Sequence, residues 1–191
     1  DIDTVIIGHT NAPEFLAIQA DEKMEAFRDR TLQINVPYQF RLQDEIRIYE
    51  RDYNPQKVRG KHIAPHTLEI GALWAILTRL EPSTKRDLTL IEKLKLYDGK
   101  TLPKYTQETA RELRLEAKSE GLKAAISPRY IQDKLSNILV SEESPKCANF
   151  FMLLTELKEG LPLYSSLPNE ADRERCRQLL ETAKMELDEI L

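Results

Sequence analysis

At 191 residues, with 41% hydrophobic and 31% charged side chains, the chain suits one domain, or one and part of a second, with a core and a well-solvated surface. A net charge of −4 argues against a broad basic face for nucleic acid, though not against a local patch, and no apolar run approaches the roughly 18 residues of a membrane span. Cys147 and Cys176 form neither a metal-type pair nor a disulfide framework, and no secretory signal is visible, which together point to reduced thiols in a cytoplasmic protein.

The chain opens without Met and almost directly on a strand, as a piece of a longer polypeptide would. Residues 4–8 (TVIIG) are apolar and β-branched, the pattern of a parallel strand covered on both faces. His9-Thr10-Asn11-Ala12-Pro13 breaks the run, and residues 14–28 are compatible with a helix anchored by Phe15, Ile18, Met24 and Phe27, interrupted at Asp21. Residues 31–36 (TLQINV) alternate as a second strand and stop at Pro37. Two lone strands cannot make an independent sheet, so either they pair with each other and pack on the helices or their partners lie in upstream sequence, and the apolar character of TVIIG favours the second.

Everything beyond reads helical. Leu42, Ile46, Tyr49 and Tyr53 make one stripe, ended by Asn54-Pro55. Pro65 can occupy a first helical position, with Ile70, Leu73, Trp74 and Leu77 behind it and Pro82 beyond the end. Leu90, Ile91, Leu94 and Tyr97 form the next face, closed by Asp98-Gly99. Residues 105–120 read as a charged, solvated helix ending at Gly121. Ser127-Pro128 is an N-cap signal before Ile131, Leu135 and Ile138, and Ser144-Pro145 repeats it before Phe151, Leu154 and Leu157. Pro168 opens a last charged helix running to Leu191. The expected class is mainly α: a helical bundle preceded by a two-strand remnant of an α/β domain.

Three polar constellations could carry chemistry. His9-Thr10-Asn11 follows an apolar strand, where open α/β sheets place ligands, and an Asn amide can donate to a phosphate oxygen while accepting from a water. Composition alone favours Asn11 as a turn former. Arg28 and Arg30, around Asp29, could offer a guanidinium to a transferring phosphoryl group, against the alternative of plain surface ion pairs. Arg129, after Ser127-Pro128, sits in a first helical turn against the sign of the helix dipole, which suits a ligand phosphate as well as it suits an unremarkable exposed cation. His62 and His66 stand apart from any third metal ligand, and Trp74 lies on an apolar face that suits a core. The chain contains no G-x-x-x-x-G-K-[ST] loop, no apolar strand ending in an acidic pair, no H-R-D-x-x-x-x-N and no D-F-G. Alone it is not expected to hydrolyse ATP.

In this order, VIIGHTNAPEF, EAFRDRTLQINVPY, HIAPHTLEIGALWAILTRL and ISPRYIQDKL resemble the PrkA family of bacterial serine protein kinases, which carry an AAA+ ATPase module. The resemblance runs through roughly residues 1–160. It implies the end of an AAA+ α/β core over residues 1–40, a helical lid over residues 41–140 and the start of a C-terminal helical region over residues 141–191. It implies that Asn11 is the sensor-1 residue and Arg30 the arginine finger acting on ATP of the adjacent subunit, with Arg28 as fallback. It implies that Arg129 is the sensor-2 residue touching nucleotide in cis. With Arg129, Arg28 and Thr10 are the other candidate nucleotide-binding residues. ATP and Mg2+ are the implied cofactors of the full-length protein, with protein substrates and a homo-oligomer, and without nucleic acid or membrane. The competing readings are an AAA+ remodeller or ATP-dependent protease-like machine, and a non-enzymatic helical scaffold.

Overall fold

Asn11, Thr89, Ser127 and Asn149 each stand just before a helix and accept from a free backbone donor of its first turn, so these caps mark where four of the elements begin. The computed structural model describes residues 4–34, 36, 38–84, 86–117, 120–121, 125–142 and 146–190. The chain divides into two units, Asp1–Val36 and Pro37–Leu191.

The first unit holds α1 (Ala12–Ala20), a 3-10 turn (Glu22–Met24) and α2 (Glu25–Arg28). The single helix expected over residues 14–28 is therefore split. At Asp21 the side chain accepts from the Lys23 N–H at 2.9 Å, giving the backbone a local alternative to the helical ladder. Residues 4–8 and 31–36, expected as strands, pair with no strand among the described residues. Val5, Ile6 and Ile7 are 86%, 88% and 93% exposed. β-branched sequence supplies propensity, but a strand exists only with a partner for its ladder.

The second unit holds α3 (Leu42–Glu50), β1 (His62–Ile63), α4 (Thr67–Arg79), α5 (Leu90–Tyr97), α6 (Gln107–Glu116), α7 (Pro128–Val140), β2 (Cys147–Ala148), α8 (Phe150–Gly160) and α9 (Glu170–Ile190). The mainly helical class is as expected. The strands of its small sheet lie inside the bundle: β1 and β2 run parallel, with His62 opposite Cys147 and Ile63 opposite Ala148.

Helix α4 is apolar on all sides and is the centre of the core. Ile70, Trp74, Ala75, Ile76 and Leu77 are fully buried, and α3, α5, α7, α8 and α9 all pack against α4. Gly71 permits a close approach of α7 and α8, since a Cβ there would stand 3.0 Å from Ile131 and 3.3 Å from Leu153. The Trp74 indole donates to the Cys176 carbonyl of α9 at 2.9 Å. Burial raises the Cys176 thiol to a pKa of about 11, which leaves it inert at neutral pH.

Several helix boundaries differ from expectation. α4 begins at Thr67 rather than Pro65, because His66 adopts a left-handed φ of 61° that no helix continues through. α6 ends at Glu116, so Glu120 belongs to a turn. α8 is capped by Asn149, whose side chain accepts from Met152 N at 3.1 Å. α9 begins at Glu170 rather than Pro168. Pro37, Ser144-Pro145 and Leu191 lie outside the described residues.

Gly121 has a φ of +77°, and the Tyr38 ring lies where a Cβ would be, at 2.9 Å. Both the backbone and the space exclude a side chain. Gly121→Ala is expected to cost about 2 kcal/mol or more of stability, read as a lower urea midpoint with an unchanged slope.

Candidate functional site

Thr10 and Asn11 meet at the head of α1. The Asn11 side-chain oxygen accepts from Glu14 N at 2.9 Å, and the Thr10 hydroxyl donates to the Glu14 carboxylate at 2.9 Å. Asn11 is thus an N-cap whose oxygen is occupied. Its amide N–H2 has no partner among the described residues and remains available to an acceptor.

Arg28 serves the other end of α1. One guanidinium nitrogen donates to the carbonyls of Ile18, Gln19 and Asp21 at 3.4, 2.9 and 2.7 Å. A cation on the free carbonyls of a helix C-terminus is favourable, and it fixes the chain at α2. Arg30 follows in a turn set by Arg30 N to Phe27 O at 3.2 Å and by the Thr31 hydroxyl to the same carbonyl at 2.7 Å. Arg30 is exposed, and its side chain makes no hydrogen bond or ion pair among the described residues. The two arginines differ in that Arg28 is committed, whereas Arg30 is free among the described residues.

Arg129 stands in the second unit, in the first turn of α7. Ser127 caps that helix, accepting from Tyr130 N at 3.3 Å and from the Tyr164 hydroxyl at 3.2 Å. Arg129 is exposed and likewise has no side-chain partner among the described residues. The backbone before it is held from both sides. Ile126 N donates to the Thr78 hydroxyl at 3.1 Å, and the Arg79 Nε donates to Ile126 O at 3.1 Å.

Arg79 itself is buried and forms a bidentate pair with Glu45, with both contacts at 2.8 Å. It also donates to Gln39 O at 3.0 Å and lies under the Tyr38 ring, 5.3 Å from its centroid. The Tyr49 hydroxyl donates to Glu45 at 2.7 Å. Burial, with the Glu45 carboxylate alongside, pushes the Tyr49 phenol far above the ordinary tyrosine range. A second buried group joins Lys93, Glu120 and Tyr97: Glu120 accepts from the Lys93 ammonium and from Glu81 N, and the Tyr97 hydroxyl donates to it at 2.9 Å. Burial and Glu120 likewise drive the Tyr97 phenol well above its usual range. Periodicity does not reveal these residues, because Glu45, Lys93 and Glu120 sit in segments rich in solvated charge. The all-round apolar character of residues 67–79 is the one available signal, since it implies that Arg79 at the end of that helix is buried and partnered.

Arg30 and Arg129 are each exposed and unpaired among the described residues, so each guanidinium, taken by itself, has its donors open to an anion. Among the described residues no group of His, Cys, Asp and Glu could hold a metal ion. No described helix is long and apolar enough to cross a membrane.

Residues 1–87 match the family model of the PrkA AAA domain, and residues 91–191 match that of the PrkA serine protein kinase C-terminal domain. The chain belongs to the PrkA family. It is 35% identical over 188 residues to the ATP-dependent protease PrkA of Bacillus subtilis (strain 168), covering 98% of this chain and 29% of that protein. It is 35% identical over 99 residues to the serine/threonine kinase YeaG of Escherichia coli (strain K12), covering 51% of this chain and 15% of that protein. The chain thus spans less than a third of the curated relatives it matches. No solved structure matches.

The boundary between the two PrkA regions, between residues 87 and 91, falls inside the second structural unit. The Trp74 bond to Cys176, the Arg175 bonds to Thr78 O and Leu80 O at 3.2 and 2.7 Å, and the Glu81 bond to Glu120 all cross it. The tail of the PrkA AAA region and the PrkA C-terminal region therefore share one core.

Proposed function

We propose that this chain works within a longer PrkA-type polypeptide as the sensing, finger and lid portion of an ATP-driven serine/threonine protein kinase. The observation that carries the reading is the tandem of the two PrkA regions along nearly the whole chain. ATP, with Mg2+ held by residues outside this chain, supplies the phosphoryl group.

Within this chain, Arg129 binds phosphate oxygens in cis from the head of α7. Arg30 neutralises charge that develops on the phosphoryl group bound by a neighbouring subunit, which makes the working form an oligomer. Asn11 orients a water or hydroxyl through its free amide, with Thr10 beside it, and Arg28 holds the turn that carries Arg30. Lid residues 41–140 and the region from 141 onward move as one body, because α4 and α7 pack against α8 and α4 packs against α9. The substrates are proteins and the working place is the cytoplasm.

One observation favours a second reading. The Bacillus subtilis relative, matched across 98% of this chain, is named an ATP-dependent protease. Incubating the intact protein with γ-labelled ATP and a protein substrate such as casein separates the two. Label on Ser or Thr is expected; ATP-dependent cleavage without label would establish the protease instead.

A further inference from the structure

Thr78 and Arg79, at the carboxyl end of α4, make a set of side-chain hydrogen bonds that lead to one place. Arg79 touches the segment by which the chain enters the helical unit, through Gln39 O at 3.0 Å and the face of Tyr38. The same guanidinium reaches Ile126 O at 3.1 Å and is oriented by the two Glu45 contacts. Thr78 accepts from Ile126 N at 3.1 Å and gives its own proton to Ala75 O at 2.7 Å, so its lone pair is fixed in direction. Both peptide groups flanking Ile126 are thereby held by adjacent residues of α4. Tyr38 also packs against Gly121, whose N–H donates to Arg79 O at 3.0 Å. Only Ser127 and Pro128 separate Ile126 from Arg129.

We propose that Arg79 and Thr78 are positioning residues for the nucleotide response, tying Tyr38-Gln39 to Ile126 and so setting where the head of α7 presents Arg129. The inference rests on the reading of Arg129 as a nucleotide contact. A guanidinium suits the task because its planar fork makes four hydrogen bonds, two to Glu45 and one each to Gln39 O and Ile126 O, whereas an ammonium has only three donors. Displacing the entry segment would move the Gln39 carbonyl and the Tyr38 ring. The Arg79 fork, held by Glu45, would pass that displacement to Ile126.

The test uses the intact ATP-hydrolysing protein and measures the Kd for ATP, with KM and kcat separately. The variants are Arg129→Ala, Thr78→Val, Thr78→Ser, Arg79→Lys and the double variant Thr78→Val/Arg129→Ala, each checked by thermal melting. Arg129→Ala is expected to weaken ATP binding about tenfold or more, the scale of one lost charge-assisted hydrogen bond. Thr78→Val leaves Ile126 N–H without its acceptor and is expected to weaken ATP binding roughly fivefold. Thr78→Ser keeps the hydroxyl and is expected to stay within about twofold of wild type. Arg79→Lys should follow Thr78→Val; if it does not fold, Thr78→Val decides alone.

The double variant should bind ATP no more weakly than Arg129→Ala, because Thr78 acts only through that guanidinium. Multiplying effects in the double variant would overturn the positioning role. So would wild-type binding by Thr78→Val alongside an impaired Arg129→Ala, or a Thr78→Ser variant as impaired as Thr78→Val. Wild-type binding by Arg129→Ala would instead remove Arg129 from the nucleotide, and this inference with it.

Discussion

Glu45→Ala is expected to remove about 3–5 kcal/mol of stability from the helical unit, the cost of leaving one partner of a buried ion pair uncompensated. Both side chains of the Glu45–Arg79 pair are 0% exposed, so water cannot replace the lost carboxylate. Arg79 would keep Gln39 O, Ile126 O and the Tyr38 face, but none of these carries a full negative charge. Tyr49, itself fully buried, would lose the acceptor of its hydroxyl as well. On a total stability of roughly 5–15 kcal/mol the loss is large, and for a domain of this size it corresponds to a fall in Tm of about 10 °C. Calorimetry of the isolated chain reads it directly. Glu45→Gln keeps an acceptor for Tyr49 and one Arg79 contact, so its fall should be clearly smaller. The double change Glu45→Leu/Arg79→Met should recover part of the loss, since it removes both charges and keeps apolar volume. A Glu45→Ala protein melting within about 2 °C of wild type would mean that the pair contributes no net stability.

The helical bundle was legible in the sequence because its signals are local. Leu42, Ile46 and Tyr49 recur on one face, Thr89 and Ser127 cap their helices, and Gly99 and Gly121 occupy positive-φ positions. What escaped was what depends on partners distant in sequence. The apolar runs at residues 4–8 and 31–36 looked like strands, yet pairing is a property of two segments and cannot be read from one. The two-residue strands β1 and β2 are too short to show any alternation, and they pair across more than eighty intervening positions. Glu120 read as one more charge of a solvated helix, whereas the turn after α6 carries it inward to Lys93. For the candidate site, sequence marked Asn11, Arg28, Arg30 and Arg129 by residue type and junction. The resemblance put Arg30 before Arg28, but residue type alone does not separate them, because the physical difference lies in three carbonyls at the end of α1 that only the fold brings to Arg28.

That difference makes Arg30 the sharper functional test. An arginine acting on a transferring phosphoryl group needs a rigid base and an unoccupied fork. Arg30 has both: its turn is closed by the Phe27 carbonyl and held through Arg28, and its guanidinium is unpaired among the described residues. In the intact protein, Arg30→Ala is expected to lower ATP turnover by up to about a thousandfold while ATP binding stays within a few-fold. Binding survives because the proposed finger reaches ATP held by a neighbouring subunit. Arg30→Lys should recover little, since a point charge does not reproduce bidentate contacts. Arg28→Ala should mainly loosen the end of α1, and so lower turnover less than Arg30→Ala does. Mixing separates action in trans from action in cis. Arg30→Ala subunits combined with subunits whose ATP site is disabled should regain part of the turnover, because some interfaces then join an intact site to an intact Arg30. Loss of turnover with no recovery on mixing would place Arg30 in cis. Unchanged turnover would remove it from the chemistry and favour a helical scaffold in which Arg30 is an ordinary surface residue.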